Sequence, residues 1–339
     1  MKNQKNIDLI RIISIFAVVI LHVAAFDVTQ SDLGTTEWWT GNIYDAASRW
    51  CVPVFVMVSG ALLLQQEDKG TLSAFYQRRL KRIAIPLLVW TIAFLVYGDL
   101  KLTLGDKAFS FNENLKLIAS GIPYFHLWFL YMIAPLYLFT PFIKRLISAC
   151  PRNELWLLAA ITFLIAALSE IIDNYQGNGP GFFGAWFLMY LPYFLSGYLI
   201  YTESSFHSQE KLLWATILGM SVTATVAAVY IVAVRHGLDT GLYFYSYLSI
   251  TVIPMSFSIF ALLARAKNDF VHEKELRNFS NLTLGIYLIH PVFLDLFQSL
   301  LKGLLPPAFN IPVKAILVFL ASALVALALS RIPYLRRII

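Results

Sequence analysis

About ten stretches of mostly apolar residues, each long enough to cross a bilayer, dominate this chain of 339 residues. At ~1.5 Å of rise per residue, about 20 helical residues span the ~30 Å hydrocarbon layer. The stretches fall at 8–26, 44–65, 83–97, 123–143, 155–172, 182–201, 212–234, 243–264, 282–301 and 312–330, the third being the shortest. Composition agrees: 58% of residues are hydrophobic and 14% charged, against roughly 25% charged in an ordinary soluble domain. Backbone groups in lipid must bond within their own element or within a closed barrel. No ten-residue alternation suggests barrel strands, so the expected fold is an all-α polytopic helical bundle.

Charge sets the orientation. With the N-terminus inside, Lys2, Lys5, Arg11, Lys69, Arg78, Arg79, Lys81, Arg82, Lys144, Arg145, Arg152, Lys211, Arg265, Lys267, Lys274, Arg277, Arg331, Arg336 and Arg337 all lie at or beside the cytoplasmic face. The charged residues of the first external loop are all acidic, Asp27, Asp32 and Glu37. Basic residues are retained inside, so both termini are expected in the cytoplasm. The net charge of +6 then reflects that bias and anionic headgroups of the lipid bilayer, and needs no nucleic-acid partner. Lys2 and Lys5 before an apolar run look like a signal peptide, but Arg11 interrupts the run and further spans follow, so the first span is expected to stay as an anchor. Cys51 and Cys150 are assigned to opposite sides of the membrane, which supports neither a disulfide nor a metal site. No linker or low-complexity tract divides the chain, so 1–339 reads as a single membrane domain. Pro53 to Gly60 (PVFVMVSG) and Pro192 to Gly197 (PYFLSG) form a weak echo, which close helix packing at small residues explains.

Ionisable groups inside a span are costly and therefore point to function. Arg11 and His22 are eleven positions apart in the first span, which places them on one helix face, about 20° apart in azimuth and ~16 Å apart along the axis. An arginine near the cytoplasmic mouth suits an anionic head, because its planar fork of donors pairs with phosphate. A histidine further out can act as general base toward a hydroxyl. A snorkelling arginine and a histidine satisfied within the bundle account for the same spacing. Arg79 and Arg82 share a face at i, i+3 where the third span begins. They suit a polyphosphate clamp or an ordinary headgroup anchor.

Taken in order, Arg-x10-His in the first span, Phe-Val-Met-Val-Ser-Gly in the second, Arg78-Arg79-Leu80-Lys81-Arg82, His126-Leu127-Trp128-Phe129-Leu130 and Leu284-Gly285-Ile286-Tyr287-Leu288-Ile289-His290-Pro291 resemble the acyltransferase-3 family. These are membrane O-acyltransferases of bacterial surface carbohydrates, and the likeness is to short members without an added periplasmic domain. It implies transfer of an acyl group, usually acetyl, from cytoplasmic acetyl-CoA to a hydroxyl of a surface or lipid-linked polysaccharide, in the bacterial inner membrane. Carried over by position, His22 is the catalytic histidine, Arg11 its motif partner, and Arg78, Arg79 and Arg82 lie at the coenzyme's phosphates. The chain departs from the family's pattern after Trp128, where Leu130-Tyr131-Met132-Ile133-Ala134-Pro135 stands in place of a Glu-rich stretch.

Further candidates come from depth in the membrane. Asp45 is placed level with His22, where a carboxylate holds an imidazole tautomer or merely favours a helix start. Arg49, one turn on, neutralises Asp45 or meets the acceptor. His126, Trp128 and Tyr131 open the fourth span on the outer side, and Trp128, Trp38 and Trp39 fit an interfacial girdle or a sugar-stacking surface. His290 precedes Pro291, so its ring either bonds the carbonyl freed by the proline or meets substrate. Two alternatives stay open: transfer of another acyl group such as succinyl, and export of a small anion along a path lined by Arg11, Arg49 and His22.

Overall fold

The computed structural model describes residues 4–65, 71–104, 111–176, 181–203, 208–266 and 272–339; Lys2, Lys69 and Lys267 lie outside them. The described residues form helices and connecting turns, with no strand among them. In chain order the helices are α1 Gln4–Gln30, α2 Thr36–Ser48, α3 Cys51–Leu63, α4 Leu72–Leu104, α5 Phe111–Ser120, α6 Trp128–Ala149, α7 Arg152–Gln176, α8 Trp186–Thr202, α9 Ser208–His236, α10 Leu238–Gly241, α11 Val252–Ala264, α12 Glu273–Ser280, α13 Thr283–Leu300 and α14 Pro307–Ser330. Nine helical segments among the described residues are long and apolar enough to cross a bilayer, and α11 is a shorter apolar helix beside them. The chain is a polytopic all-α membrane protein. Large apolar side chains such as Leu157, Ile161, Leu164, Ile165 and Leu168 of α7 are exposed, as expected where lipid is the neighbour.

Three spans differ from their expected form. The second is two helices, because the chain turns at Arg49 and Trp50 before Pro53 enters the first turn of α3, where its missing N–H breaks no helix bond. The third is not short. In α4, 33 residues carry Arg78 to Arg82 as part of the helix itself. The eighth begins with a 3-10 turn at Leu242–Tyr245 and becomes an α-helix only at Val252.

The irregular backbone from 246 to 251 is tolerated because protein groups replace the absent helix bonds. Ser246 Oγ accepts from the Leu248 N–H at 3.2 Å, and Ser249 Oγ accepts from the Val252 N–H at 3.3 Å. Tyr193 of α8 donates its hydroxyl to the Tyr247 carbonyl at 2.6 Å. From α2's end, Arg49 Nη1 donates to the Tyr245 carbonyl at 3.3 Å.

The echo of PVFVMVSG and PYFLSG is the tightest crossing in the bundle. A Cβ on Gly60 would lie 1.8 Å from the Phe194 carbonyl oxygen, and one on Gly197 would lie 2.1 Å from that of Met57. The two glycines thus let α3 and α8 meet backbone to backbone, which is what small residues provide in membranes.

Both chain ends lie at one end of the bundle. Asn6 Nδ2 donates to the carbonyls of Ala264 and Ala266 at 2.9 and 3.0 Å. Arg11 reaches the start of α13, and Ile339 closes on Gly285 at that same start. This is the end that carries the basic start of α4.

Candidate active site

Helix α1 organises the site. Near its start, Arg11 donates Nη1 to Ser280 Oγ at 2.8 Å and Nη2 to Thr283 Oγ1 at 2.9 Å. Ser280 passes a hydrogen bond to Asp8 Oδ1 at 2.7 Å, while Asp8 stands 3.8 Å from the guanidinium. Arg11 is in electrostatic contact with Arg82 and with Tyr137, and Arg79 with the same two groups and with Arg78. Tyr137 shares a 2.9 Å hydrogen bond with Ser59. Arg79 also lies over the Phe75 ring at 5.7 Å, and Arg78 and Arg82 are exposed. The basic residues expected at an anionic head therefore gather at one end, around a ring of hydroxyls.

Eleven residues on, His22 is packed between rings. Its imidazole stacks on His290 with centroids 5.2 Å apart and planes at 21°, and Phe125 meets it edge-on at 4.9 Å. His126 meets His290 at 5.4 Å and 83°. Three histidines from α1, α13 and the turn before α6 thus form one cluster. Among the described residues no group of side chains is arranged to hold a metal ion.

The proline next to His290 explains its posture. Pro291 has no N–H, so the Tyr287 carbonyl loses its helix donor, and His290 Nδ1 sits 2.6 Å from that oxygen. A carbonyl only accepts, so Nδ1 carries the proton and Nε2 keeps its lone pair. Nε2 is buried, with no hydrogen-bond partner among the described residues. The Tyr287 hydroxyl in turn donates to the His126 carbonyl, which ties the turn before α6 to α13. Of the two readings left open for His290, the bond to the freed carbonyl is the one the helix makes.

Of the readings left open for Asp45, the structure shows the pairing with Arg49. Arg49 Nη2 donates to Asp45 Oδ2 at 2.7 Å, and Nε lies 2.6 Å from Oδ1. The carboxylate is held by a guanidinium one helical turn away through one charge-assisted hydrogen bond and one close ion-pair contact. The ring partners of His22 are His290 and Phe125 instead. Arg49 is correspondingly committed: it also lies 4.1 Å from the centroid of the Tyr245 ring.

The aromatic candidates separate. Trp38 is fully buried against Val28, Ala46 and Val229 rather than lying in an interfacial girdle. Trp128 stacks on Tyr247 at 5.7 Å and 20° and meets Tyr190 at 5.8 Å. Tyr131 is drawn away from the histidines, its hydroxyl 3.2 Å from Thr91 Oγ1 and its ring against Phe183.

Beyond His22, toward the end opposite Arg11, a cavity of about 540 Å³ is lined by Ala25, Asp45, Arg49, Trp128, Glu170, Asp173, Trp186, Tyr190, Tyr245 and Tyr247, among others. Ala25 is one turn of α1 past His22, and none of the three histidines is among the residues lining the cavity. Sequence reasoning passed over Glu170, Asp173, Trp186, Tyr190 and Tyr247. The two carboxylates at i, i+3 near the end of an apolar span were a usable signal; the aromatics were not, since every span is rich in them.

The helical membrane bundle thus places three histidines between a cluster of arginines and a cavity with an aromatic wall. The family comparison makes this specific: the model of the acyltransferase-3 family, described as an acyltransferase domain, matches residues 4–332. The chain belongs to that family and is a membrane acyltransferase. No curated protein matches it, and no solved structure does.

Proposed function

We propose that this chain is an acetyl-CoA-dependent O-acetyltransferase of the bacterial cytoplasmic membrane, acting on a hydroxyl of a surface or lipid-linked carbohydrate, with its arginine end toward the cytoplasm. The observation that carries this reading is the order of groups along α1: an arginine cluster, then His22 ~16 Å further along the axis, then a cavity one turn beyond. The phosphates of the donor rest at Arg11, Arg79 and Arg82, and the arm of the coenzyme carries its thioester inward to the histidines. A sugar hydroxyl arrives from the cavity.

In the transfer, His22 takes the hydroxyl proton while the oxygen attacks the thioester carbonyl. The C–O bond forms, the C–S bond breaks, and the thiolate leaves with the proton returned by the imidazolium. The products are the O-acetyl ester and free coenzyme. His290, with Nδ1 tied to Tyr287, positions the ring of His22 by stacking.

Labelled acetyl-CoA and purified protein in micelles test the reading. His22→Ala should lower transfer by about 10²–10⁴-fold, the usual contribution of general-base catalysis, while coenzyme binding stays near that of the unaltered protein. Full activity of the variant, or no turnover of acetyl-CoA by the unaltered protein with any carbohydrate acceptor, removes it.

A further inference from the structure

We propose that the cavity beyond His22 is a binding site for a neutral, multiply hydroxylated pyranose, and that its charge turns away uronic and other acidic sugars. The proposal deepens, and rests on, the reading of the chain as a carbohydrate O-acyltransferase.

At about 540 Å³ the cavity has the size of ordinary small-molecule sites, which run from about 300 to 1,000 Å³. One wall is aromatic, with Trp128 and Tyr247 stacked at 20° and Tyr190 beside them. Flat faces of this kind pack against the C–H face of a sugar ring while leaving its hydroxyls free. The opposite requirement, acceptors for those hydroxyls, is met by Glu170 and Asp173, which sit one turn apart on α7 and line the same cavity. Ionised carboxylates only accept, and bonds from hydroxyls to them are strong.

Charge decides the sugar class. Four ionisable side chains other than tyrosine line the cavity: Asp45, Arg49, Glu170 and Asp173. Asp45 and Arg49 cancel in their ion pair, 2.6 Å between Oδ1 and Nε. Glu170 and Asp173 remain, so the cavity faces its occupant with negative charge. Specificity then comes from repulsion as much as from contact, because a sugar carboxylate placed here meets two others. The occupant lies against Ala25, one turn from His22, with a ring hydroxyl toward the histidines.

Full-length protein in micelles, with no acyl donor, is titrated with a panel of neutral methyl pyranosides and oligosaccharides and with the matching uronates, reading tryptophan emission. A saturable response to at least one neutral member and none to its uronate is expected, and Trp128→Phe should diminish that response. The double variant Glu170→Gln with Asp173→Asn, verified as folded by its circular dichroism, should weaken the neutral sugar about ten- to a hundredfold, the cost of losing charge-assisted bonds, and should narrow the gap to the uronate. No saturable response from any neutral member, equal binding of the uronate, or an unchanged ratio in the double variant overturns the proposal. Sugar binding without acetyl transfer would sink the transferase reading while upholding the site. Transfer with an acceptor KM unmoved by the double variant would sink the site alone.

Discussion

Arg11 and Arg49 are both arginines held inside the bundle, yet they keep different company. Arg11 donates to two neutral hydroxyls, Ser280 and Thr283, with its nearest carboxylate at 3.8 Å. Arg49 is clasped by both oxygens of Asp45. Hydroxyls orient a guanidinium without cancelling its charge, whereas a carboxylate in direct contact does both. Arg11 is thus oriented by hydroxyls, with Asp8 as a looser counter-charge, whereas Arg49 neutralises a buried acid in direct contact. Residue type alone does not separate a binding arginine from a packing one, but the partner does.

Breaking the Arg49 pair should have the largest effect. Asp45→Asn leaves a buried guanidinium without its counter-charge, a loss of about 3–5 kcal/mol for a buried pair. Thermal unfolding in micelles should show a marked drop in midpoint and poor recovery of folded protein; an unaltered midpoint would mean that Arg49 has no need of Asp45.

Arg11→Ala should instead spare folding and strike donor binding. Loss of a charge-assisted phosphate contact is about 1.5–3 kcal/mol, or roughly ten- to a hundredfold in affinity. The phosphates keep their charge through acyl transfer, so KM for acetyl-CoA should rise more than kcat falls. Arg79→Ala and Arg82→Ala should follow the same pattern, and lysine should restore only part of it, since a point charge lacks the paired donors. If these two arginines only anchor α4 to headgroups, yield falls and KM stays where it was.

The smallest effect belongs to the hydroxyls. Thr283→Val removes the acceptor at Arg11 Nη2 and retains the charge, so the penalty should be about 0.5–1.5 kcal/mol, seen as a few-fold rise in the same KM. A rise equal to that of Arg11→Ala would show that orientation, and not charge, is what Arg11 contributes.

The spans were legible because lipid imposes a length on any helix that crosses it, and the face shared by Arg11 and His22 was legible because one helix fixes both. The bond from His290 to the Tyr287 carbonyl was local as well, set by Pro291 next door. The break in the eighth span was not legible, because the groups that satisfy it come from far along the chain: Tyr193 for Tyr247, and Arg49 for Tyr245. Asp45 shows a different shortfall. Depth in the membrane placed it level with His22, while the helical repeat had already set Arg49 one turn away, and the shorter path prevailed.

The crossing of Gly60 and Gly197 also governs how the protein can open. Packed helices slide past one another through small shifts at their seam, and at Gly60 and Gly197 no side chain stands between the two backbones to accommodate one. Helices α3 and α8 are therefore bolted into a single stiff girder. Helices α4 and α7, by contrast, turn large apolar flanks such as Leu88, Ile92, Leu157 and Ile161 outward.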